Sequence, residues 1–521
     1  MEKIQKKLII RNADVTDLNQ INAMVSRSYK DESLAYKGTM VASQITHFKQ
    51  GCFVAEIDGK IVGYCATLRI SGEKCLKEHS WREITGGGFG STHDSKGEYL
   101  YGYEVCVDPE YRKFKIGQRF YNERKKLCRF LRLKGIVFAG RMPNLKKRIK
   151  EVGSVENYIK AVKEKKIRDN VLNFQLRNGF EVIGYMKDYI PGDLESMGYA
   201  CHMMWKNPEF EDENITNSSK KTYKPSIDEI GSVRVATVQY KQRKVKSIEE
   251  FEAMVTYYVD VCSEYKCDFV LFPELFTLQL LSLEPEELPH HIAIEKMAEY
   301  TPKLTEFFKF LALKFNINII AGSHPVKNSM GEMNNVSFIC LRDGTIHEQA
   351  KIHPTPNEQY WWNIKGGKEL KAIQTDCGPI GVLICFDSEF PELSRYLVDQ
   401  GIKILFVPFL TDERKGYCRV RYCSQARAVE NELYVVMSGS VGNLPNVPNI
   451  DIHYSQSCIL TPCDFPFARD GIAAEATPNV EMVSFADLRI DTLVESRNTG
   501  TVQLLKNRRH DLYSVEWHGK S

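Results

Sequence analysis

Four residues in the second half of the chain have side chains that together could carry out nucleophilic chemistry. Cys385 follows the apolar run GPIGVLI, Glu274 lies in FPEL after CDFVL, and Lys351 and Glu358 lie in KIHPTPNE. A free thiol is mostly protonated at neutral pH, so an attacking cysteine needs a base, a favourable dipole or both. A glutamate could take the thiol proton, and a lysine could stabilise an oxyanion.

Each of these residues also has an ordinary structural interpretation. Free cysteines are commonly buried and inert, and this chain has 15 of them. Glu274 could be a solvated strand end, Lys351 a surface charge and Glu358 an acid that caps the following turn. Spacing alone does not decide between the two interpretations.

The elements that must position these residues form an α/β pattern. VRVATVQY, CDFVLFPEL, INIIAGSHPV, GPIGVLICF and IKILFVPFL are predicted strands, and SIEEFEAMVTYYVDVCSEYK is a helix with a serine N-cap. Val-rich and Ile-rich strands that alternate with helices indicate a layered α/β fold, in which sites assemble at strand ends.

This pattern predicts that Cys385 lies on a turn from a strand to a helix. The helix begins near Pro391, and the backbone N–H of Phe386 could face a developing oxyanion. Lys351, by contrast, opens the segment KIHPTPNEQYWW, which has enough prolines to predict an irregular loop.

FPEL, KIHPTPNE and ICFDSEFPEL, in this order, resemble the three signatures of the carbon–nitrogen hydrolase (nitrilase) superfamily. RVATVQY, IAGSHPV and RAVENELYVV resemble further segments, so the resemblance covers about residues 231–516. It implies a four-layer αββα sandwich and a Glu–Lys–Cys triad, which falls on Glu274, Lys351 and Cys385. Glu358 matches a second glutamate found beside the lysine. The resemblance also implies a homodimer or larger assembly.

The resemblance implies hydrolysis through a thioester or thioimidate on Cys385, without a cofactor or metal. The segment CFDSEFPEL is more similar to the amidase branches, which favours a small amide over a nitrile as substrate. One departure is Ser455-Gln456-Ser457, where the family often has a glycine. Trp361 and Trp362 could line a substrate pocket or serve as packing residues.

The first half of the chain also alternates helices and strands, which predicts an α/β domain. NQINAMVSRSY is a predicted helix, and GCFVAEIDGKIVGYCATLRI is a predicted hairpin that turns at Asp58-Gly59. LYGYEVCV is a further strand, and KIGQRFYNERKKLCRFLRLKG is a helix after it.

EVCVDPEYRKFKIGQRF and NFQLRNGFEVIG resemble segments of the Gcn5-related N-acetyltransferases over about residues 6–206. The resemblance implies a mixed sheet with flanking helices. It also implies a turn that holds the pyrophosphate of acetyl-CoA at a helix N-terminus, with a binding site at Val107, Arg112, Lys115, Ile116 and Gly117. Two departures are Lys115, where the family usually has glycine, and Gln175, where a tyrosine general acid often stands.

These departures leave three functions open for the first half. It could be an active N-acetyltransferase with an amine acceptor, or an inactive CoA sensor. Alternatively the acetyltransferase could be the principal activity, with the hydrolase fold serving assembly. Residues 111–170 contain 20 Lys and Arg against five Asp and Glu. Their charge could attract CoA phosphates or RNA, but aromatic residues are sparse there, so nucleic acid is the lesser hypothesis.

Composition predicts a soluble protein, and length predicts two or three domains. The chain has 521 residues, a net charge of +3 and a polar stretch at 207–230, which predicts a linker between domains at 1–206 and 231–516. Neither a signal-peptide pattern nor a run long enough to span a bilayer occurs, and the cysteines have no zinc spacing. We therefore expect a cytoplasmic protein with reduced thiols and without a membrane partner.

Overall fold

A computed structural model describes residues 7–28, 38–210, 231–285, 288–444 and 452–519. The chain divides into two compact units, Met1–Lys221 and Thr222–Ser521. From residue 211 onward, the linker predicted at 207–230 lies outside the described residues. Each unit is described by itself.

The first unit is a mixed α/β fold, as the sequence predicted. Its strands are β1 (Leu8–Asn12), β2 (Phe53–Ile57), β3 (Lys60–Ile70), β4 (Tyr99–Val107), β5 (Gly135–Arg141), β6 (Glu181–Met186) and β7 (Ala200–Lys206). Its helices are α1 (Leu18–Ser28), α2 (Gly38–Phe48), α3 (Gly72–Cys75), α4 (Trp81–Thr85), α5 (Ile116–Phe130), α6 (Leu145–Val152), α7 (Val155–Lys163) and α8 (Asn170–Arg177).

The seven strands of this unit form one sheet in the order β1-β2-β3-β4-β5-β7-β6. The predicted hairpin is confirmed: β2 and β3 are antiparallel, and Asp58 and Gly59 at the turn both have positive φ. Strands β4 and β5 are parallel but pair only between 99–101 and 135–137, so they diverge before either strand ends.

The second unit carries the proposed catalytic residues. Its strands are β8 (Ser232–Gln242), β9 (Phe269–Leu271), β10 (Asn318–Ile320), β11 (His324–Lys327), β12 (Met333–Cys340), β13 (Ile346–Ala350), β14 (Ile380–Val382), β15 (Ile404–Phe409), β16 (Tyr434–Gly442), β17 (Cys458–Leu460), β18 (Ile472–Glu475) and β19 (Met482–Arg489). Its helices are α9 (Ile248–Glu264), α10 (His290–Glu299), α11 (Thr301–Phe315), α12 (Pro356–Trp362), α13 (Pro391–Asp399), α14 (Arg414–Glu430) and α15 (Ile490–Thr499).

These strands form a curled 12-stranded sheet whose two halves join where β8 pairs with β16. The halves face each other through a shared core, in which Phe269 of β9 lies against Phe406 of β15 at 5.2 Å between ring centroids. Helices α9, α10 and α11 cover the outer face of the first half, and α13 and α14 pack on the second. The predicted αββα layering is therefore present.

Two predictions of local structure were wrong. The segment after Lys351 is not an irregular loop throughout, because 356–362 form helix α12 with Pro356 in its first turn, where a proline costs no hydrogen bond. INIIAGSHPV is not one strand, because Gly322, with φ 57°, separates β10 from β11. In the described part of the chain, no helix is long and apolar enough to span a membrane.

Candidate active site

The loop after β9 presents the Glu274 carboxylate at the end of that strand. Leu275 has φ 50°, and its backbone N–H donates to Ser323 Oγ at 3.1 Å. At Gly322 the backbone passes so close to Pro273 that an added Cβ would lie 1.8 Å from the Pro273 carbonyl oxygen. The Gly-Ser pair after β10 therefore fixes the loop that holds Glu274.

Lys351 and Glu358 are positioned by β13 and helix α12. Lys351 follows β13 directly, and its backbone N–H donates to the Asn335 carbonyl of β12 at 2.8 Å. Glu358 forms a capping box with Thr355, whose N–H donates to Glu358 Oε2 at 2.7 Å. The capping interpretation of Glu358 is thus correct, and its carboxylate also faces the lysine.

Cys385 lies on the predicted turn between β14 and α13. A short 3₁₀ turn spans Cys385–Glu389, and Cys385 has φ 48°. All 15 cysteines lie in the described part of the chain, and Cys385 is the one among them with a positive φ. A left-handed cysteine is unusual, and such strain is concentrated at functional sites.

Leu410, just after β15, brings the cysteine and the first glutamate together. Its N–H donates to Glu274 Oε2 at 2.9 Å, and its carbonyl accepts from Cys385 Sγ at 3.7 Å. The nearby Cys385 thiol also acts to lower the pKa of Glu274, against the effect of burial. The strand ends after β9, β14 and β15 therefore meet at one point.

The two glutamates share two donors. Lys351 Nζ lies 2.8 Å from Glu274 Oε1 and 2.6 Å from Glu358 Oε2. Asn335 Nδ2 donates to Glu274 Oε1 at 3.0 Å and to Glu358 Oε1 at 2.9 Å. All four side chains are buried. They form a closed ring of hydrogen bonds with one cation between two carboxyl groups.

Burial and charge set opposite pKa shifts on the two glutamates. Burial raises the pKa of Glu274 above its ordinary value, against the opposing charge of Lys351. Burial would also raise the pKa of Glu358, but Lys351 and the donors on its oxygens outweigh it and hold that pKa low. Glu274 is therefore the better proton acceptor of the pair.

The lysine stays charged and the thiol stays protonated in this environment. Burial acts to lower the pKa of Lys351, but Glu274 and Glu358 outweigh it and raise that pKa well above its ordinary value. Burial, then the charge of Glu274, raises the pKa of Cys385 well above 9.0. If Cys385 is a nucleophile, it must therefore lose its proton during attack rather than before it.

Asp387 ties the cysteine turn to the lysine segment. Its carboxylate accepts from the N–H of Ile352 at 3.0 Å and from the N–H of His353 at 2.7 Å. On the other side of the turn, Arg427 of α14 donates to the carbonyls of Ser388 and Glu389 at 3.0 and 3.2 Å. Both contacts fix the position of Cys385 relative to Lys351.

A cleft of about 330 Å³ opens beside these residues. Its lining includes the residues that directly follow three of the proposed catalytic groups, namely Ile352, Gln359 and Phe386, together with His353 and Lys365. Trp362, the last residue of α12, is buried in the core and is a packing residue. Trp361 is 39% exposed and contacts His290. Neither tryptophan lines the cleft.

The structure brings together Glu274, Lys351, Glu358 and Cys385, which the sequence singled out. Sequence reasoning missed Asn335, Asp387 and Leu410 as members of the same arrangement. The acid two residues after the cysteine was visible, but nothing indicated its partners. Asn335 had only a weak signal, an amide inside an apolar strand, and Leu410 acts through its backbone, which no side-chain pattern reveals.

The candidate CoA residues lie together in the first unit. Val107 ends β4, Arg112 lies in the 3₁₀ turn Pro109–Phe114, and Lys115 has φ 52° at the N-cap of α5. Lys115 thus adopts the left-handed conformation for which glycine is suited. Ile116 is buried in the first turn of α5, followed by Gly117.

Among the described residues, no group of three or more His, Cys, Asp and Glu side chains could hold a metal ion. Gln175 is a buried residue of α8, and its amide lies so close to Gly140 of β5 that a Cβ added at Gly140 would be 2.3 Å from it. It therefore packs against the sheet.

Comparisons with known proteins match both units. Residues 234–498 match the model of the family described as carbon-nitrogen hydrolase, and residues 18–148 match that of the acetyltransferase (GNAT) family. The chain is 43% identical to "Probable hydrolase YhcX" of Bacillus subtilis over 99% of this chain and 98% of that protein.

Two further relatives each match one unit. "Uncharacterized N-acetyltransferase YkwB" of Bacillus subtilis is 32% identical over 38% of this chain and 89% of its own length. "Omega-amidase NIT3" of Saccharomyces cerevisiae is 28% identical over 40% of this chain and 71% of its own length.

Proposed function

The chain belongs to the carbon–nitrogen hydrolase family and carries a GNAT-family domain ahead of the hydrolase domain, and on this premise we propose that the second unit hydrolyses a small carboxamide through Cys385. The observation that carries the proposal is the meeting of Cys385 and Glu274 at Leu410, with Lys351 2.8 Å from Glu274. We further propose 1–206 and 231–516 as the domain limits.

In the first half-reaction Glu274 takes the thiol proton while Cys385 Sγ attacks the amide carbon. A C–S bond forms and the carbonyl electrons move to oxygen. The Lys351 ammonium has three N–H donors, and two of them are directed at the carboxylates of Glu274 and Glu358. The third can donate to this oxyanion, and the backbone N–H of Phe386 can be a second donor to it. The C–N bond then breaks, Glu274 returns its proton to nitrogen, and ammonia or an amine leaves a thioester.

In the second half-reaction water attacks the thioester carbon. Glu274 takes a proton from the water, the oxyanion forms again at the same donors, and the C–S bond breaks to release the acid. The Cys385 sulfur recovers the proton from Glu274. Glu358 stays ionised throughout, because its pKa is held low, and it keeps Lys351 charged and oriented.

Two observations favour an amide over a nitrile. The similarity to a protein named as an omega-amidase supports amide cleavage. The chemistry agrees, since a carbonyl oxygen gives an oxyanion for the buried ammonium to stabilise. The cleft beside Phe386 and Ile352 is large enough for a small substrate.

Ammonia release over a panel of amides and nitriles tests the proposal, with wild type compared with Cys385→Ala. We expect turnover of an amide that is lost in the variant, and an acyl adduct on Cys385 in mass spectrometry. Cys458→Ala is the matched control, since Cys458 is also buried at a strand but lies outside the site. Turnover that survives Cys385→Ala would contradict the proposal.

We propose as a second function that the first unit binds acetyl-CoA. The early divergence of β4 from β5 supports this, because it leaves the last residues of β4 free of pairing to β5. The N-terminus of α5, after the left-handed Lys115, would take the pyrophosphate, with Val107, Arg112, Ile116 and Gly117 around it. Acetyl transfer to an amine would follow from such binding.

A thermal-shift titration with acetyl-CoA tests the second function. We expect an upward shift in wild type that is reduced in Lys115→Glu, whose carboxylate would repel phosphate, and in Gly117→Trp. The latter also crowds Phe174, 3.1 Å from a Cβ at Gly117, so Lys115→Glu is the cleaner variant. Lys147→Glu, an exposed lysine of α6, is the control. No shift in wild type would contradict acetyl-CoA binding.

A further inference from the structure

Asn335 is the one uncharged side chain in the ring around Lys351. Its Nδ2 donates to both glutamates, at 3.0 Å to Glu274 and 2.9 Å to Glu358. Its backbone carbonyl accepts from the N–H of Lys351 at 2.8 Å. One residue of β12 therefore bonds both buried carboxylates and the backbone of the lysine between them, and it is itself fully buried.

The charges alone do not account for this arrangement. Two carboxylates and one ammonium leave an excess negative charge in a site without solvent, which favours protonation of one carboxyl group. Lys351 cannot offset both carboxylates fully, because it is a single cation. A neutral donor that bridges them stabilises both ionised forms and sets their separation.

We propose that Asn335 is a positioning residue that holds Glu274 and Glu358 on either side of Lys351 and keeps Glu274 ionised until it takes the Cys385 proton. This inference rests on the proposed amidase function. It adds a group that never touches the substrate but controls the general base. The titratable groups that face Glu274 are Lys351 and Glu358 from the lysine segment and Cys385 from the turn after β14.

The orientation of the asparagine amide follows from its neighbours. Only the NH₂ group can approach two carboxylate oxygens favourably, since the carbonyl oxygen would be repelled by both. The other end, Oδ1, is buried without a hydrogen-bond partner among the described residues. An unpaired buried oxygen is costly, so the double contact to the glutamates decides the orientation.

Three substitutions at Asn335 distinguish this role from packing. Asn335→Ala removes the donor, and Asn335→Asp keeps the shape but replaces the donor with a third carboxylate. Asn335→Ser retains one O–H donor, which can bond only one glutamate. The proposal predicts the activity order Asn, Ser, Ala, Asp near neutral pH, whereas packing alone predicts that the isosteric Asp is the best substitute.

The first readout is the pH profile of kcat/KM for the amide found in the substrate screen. Asn335→Ala is expected to lower kcat/KM by about 10- to 100-fold and to move the acid limb upward by roughly one pH unit, because Glu274 then holds its proton more tightly. Asn334→Ala is the matched control. Asn334 is the neighbouring buried asparagine, and it bonds Lys365 and Asn328 instead of the glutamates. The acid limb of the pH profile of Asn334→Ala should therefore stay where it is in wild type.

The second readout is the rate of Cys385 alkylation by iodoacetamide, followed by mass spectrometry of its peptide. This reaction also depends on removal of the thiol proton but needs no substrate. If no amide is hydrolysed in the substrate screen, the amidase proposal is contradicted. The alkylation rates still test the role of Asn335 in that case. We expect alkylation of Asn335→Ala to shift to higher pH than in wild type.

If circular dichroism shows that the alanine and aspartate variants are not folded, both measurements are made on Asn335→Ser instead. An unmoved acid limb in every folded variant, or an aspartate variant more active than alanine near neutral pH, would overturn the proposal. A shifted limb with Asp below Ala would support it.

Discussion

Cys385 and Glu274 are held by opposite ends of a single residue, since the N–H of Leu410 donates to the carboxylate and its carbonyl accepts from the thiol. Neither contact is made by a Leu410 side chain. The proposed nucleophile and the proposed base therefore have a fixed separation that is set by the end of β15. Before reaction the thiol of Cys385 is protonated, and the ionised carboxylate of Glu274 is the proposed acceptor of its proton.

Replacing the base is expected to stop the reaction before the thioester. Glu274→Gln keeps the shape and can still contact Leu410, but its amide cannot accept a proton. We expect kcat to fall by about 10²- to 10⁴-fold, with no acyl adduct on Cys385 in mass spectrometry. Glu284→Gln, a glutamate outside the site that bonds Tyr300, is the control. An adduct that accumulates in Glu274→Gln would show that another group takes the thiol proton.

The acid limb of the wild-type pH profile should lie above the ordinary glutamate pKa of 4.5, because burial raises the pKa of Glu274. Glu274 must be ionised to act, so kcat/KM rises as pH increases through this limb. The measurement is kcat/KM from about pH 4 to 9 on the amide substrate. A limb at or below the ordinary value would contradict the assignment of Glu274 as base.

Removal of the lysine should destabilise the fold in a pH-dependent way. Lys351→Met leaves Glu274 and Glu358 buried without their cation, which costs about 3–5 kcal/mol near neutral pH. The carboxyl pKa values then lie above their unfolded values, so the folded state binds more protons. Stability is greatest at low pH and is lost as pH rises through the folded pKa.

Urea unfolding of Lys351→Met at about pH 5 and pH 8 measures this effect. The loss relative to wild type should be larger at the higher pH. Lys371→Met, an exposed lysine paired with Glu369, should change stability by less than about 1 kcal/mol at both pH values. An equal loss at both pH values for Lys351→Met would contradict the predicted linkage.

The contact between Asp387 and the lysine segment should affect catalysis more than binding. Asp387→Asn keeps the shape but puts an NH₂ group against the N–H of Ile352 or His353. We expect kcat to fall by about 10- to 100-fold, with KM within about twofold, and unfolding free energy to fall by about 1–3 kcal/mol. Glu392→Gln, at an exposed carboxylate in α13, is the control. Unchanged kcat would show that Asp387 does not position the site.

Gly322 should tolerate no side chain. An alanine Cβ there would lie 1.8 Å from the Pro273 carbonyl oxygen, which requires the Glu274 loop to move. Gly322→Ala is expected to lose at least about 3 kcal/mol of unfolding free energy and most of its activity. Gly331 also has positive φ, but nothing lies within 4 Å of an added Cβ, so Gly331→Ala should cost only about 1 kcal/mol. Equal losses would show that backbone strain rather than the close approach is decisive.

The sequence by itself determined the α/β class of both units and, through its resemblance to known families, the two folds and the four chemical groups of the site. Strand and helix periodicities, the Asp58-Gly59 turn and the serine N-cap of α9 follow from local preferences, and the structure confirms them. Local sequence placed Glu274, Lys351 and Cys385 at strand ends or in the loops after them, whereas their grouping as a triad and the choice of Glu358 came from the resemblance to the carbon–nitrogen hydrolase superfamily.

Only the tertiary structure decided how those groups are connected. Asn335, Asp387 and Leu410 bond side chains that lie 23 to 136 residues away in sequence, and Leu410 does so through its backbone. Pairing of this kind depends on which strands lie side by side, and periodicity does not encode it. Helix α12 was also missed, because a proline that breaks a helix interior is favourable in its first turn.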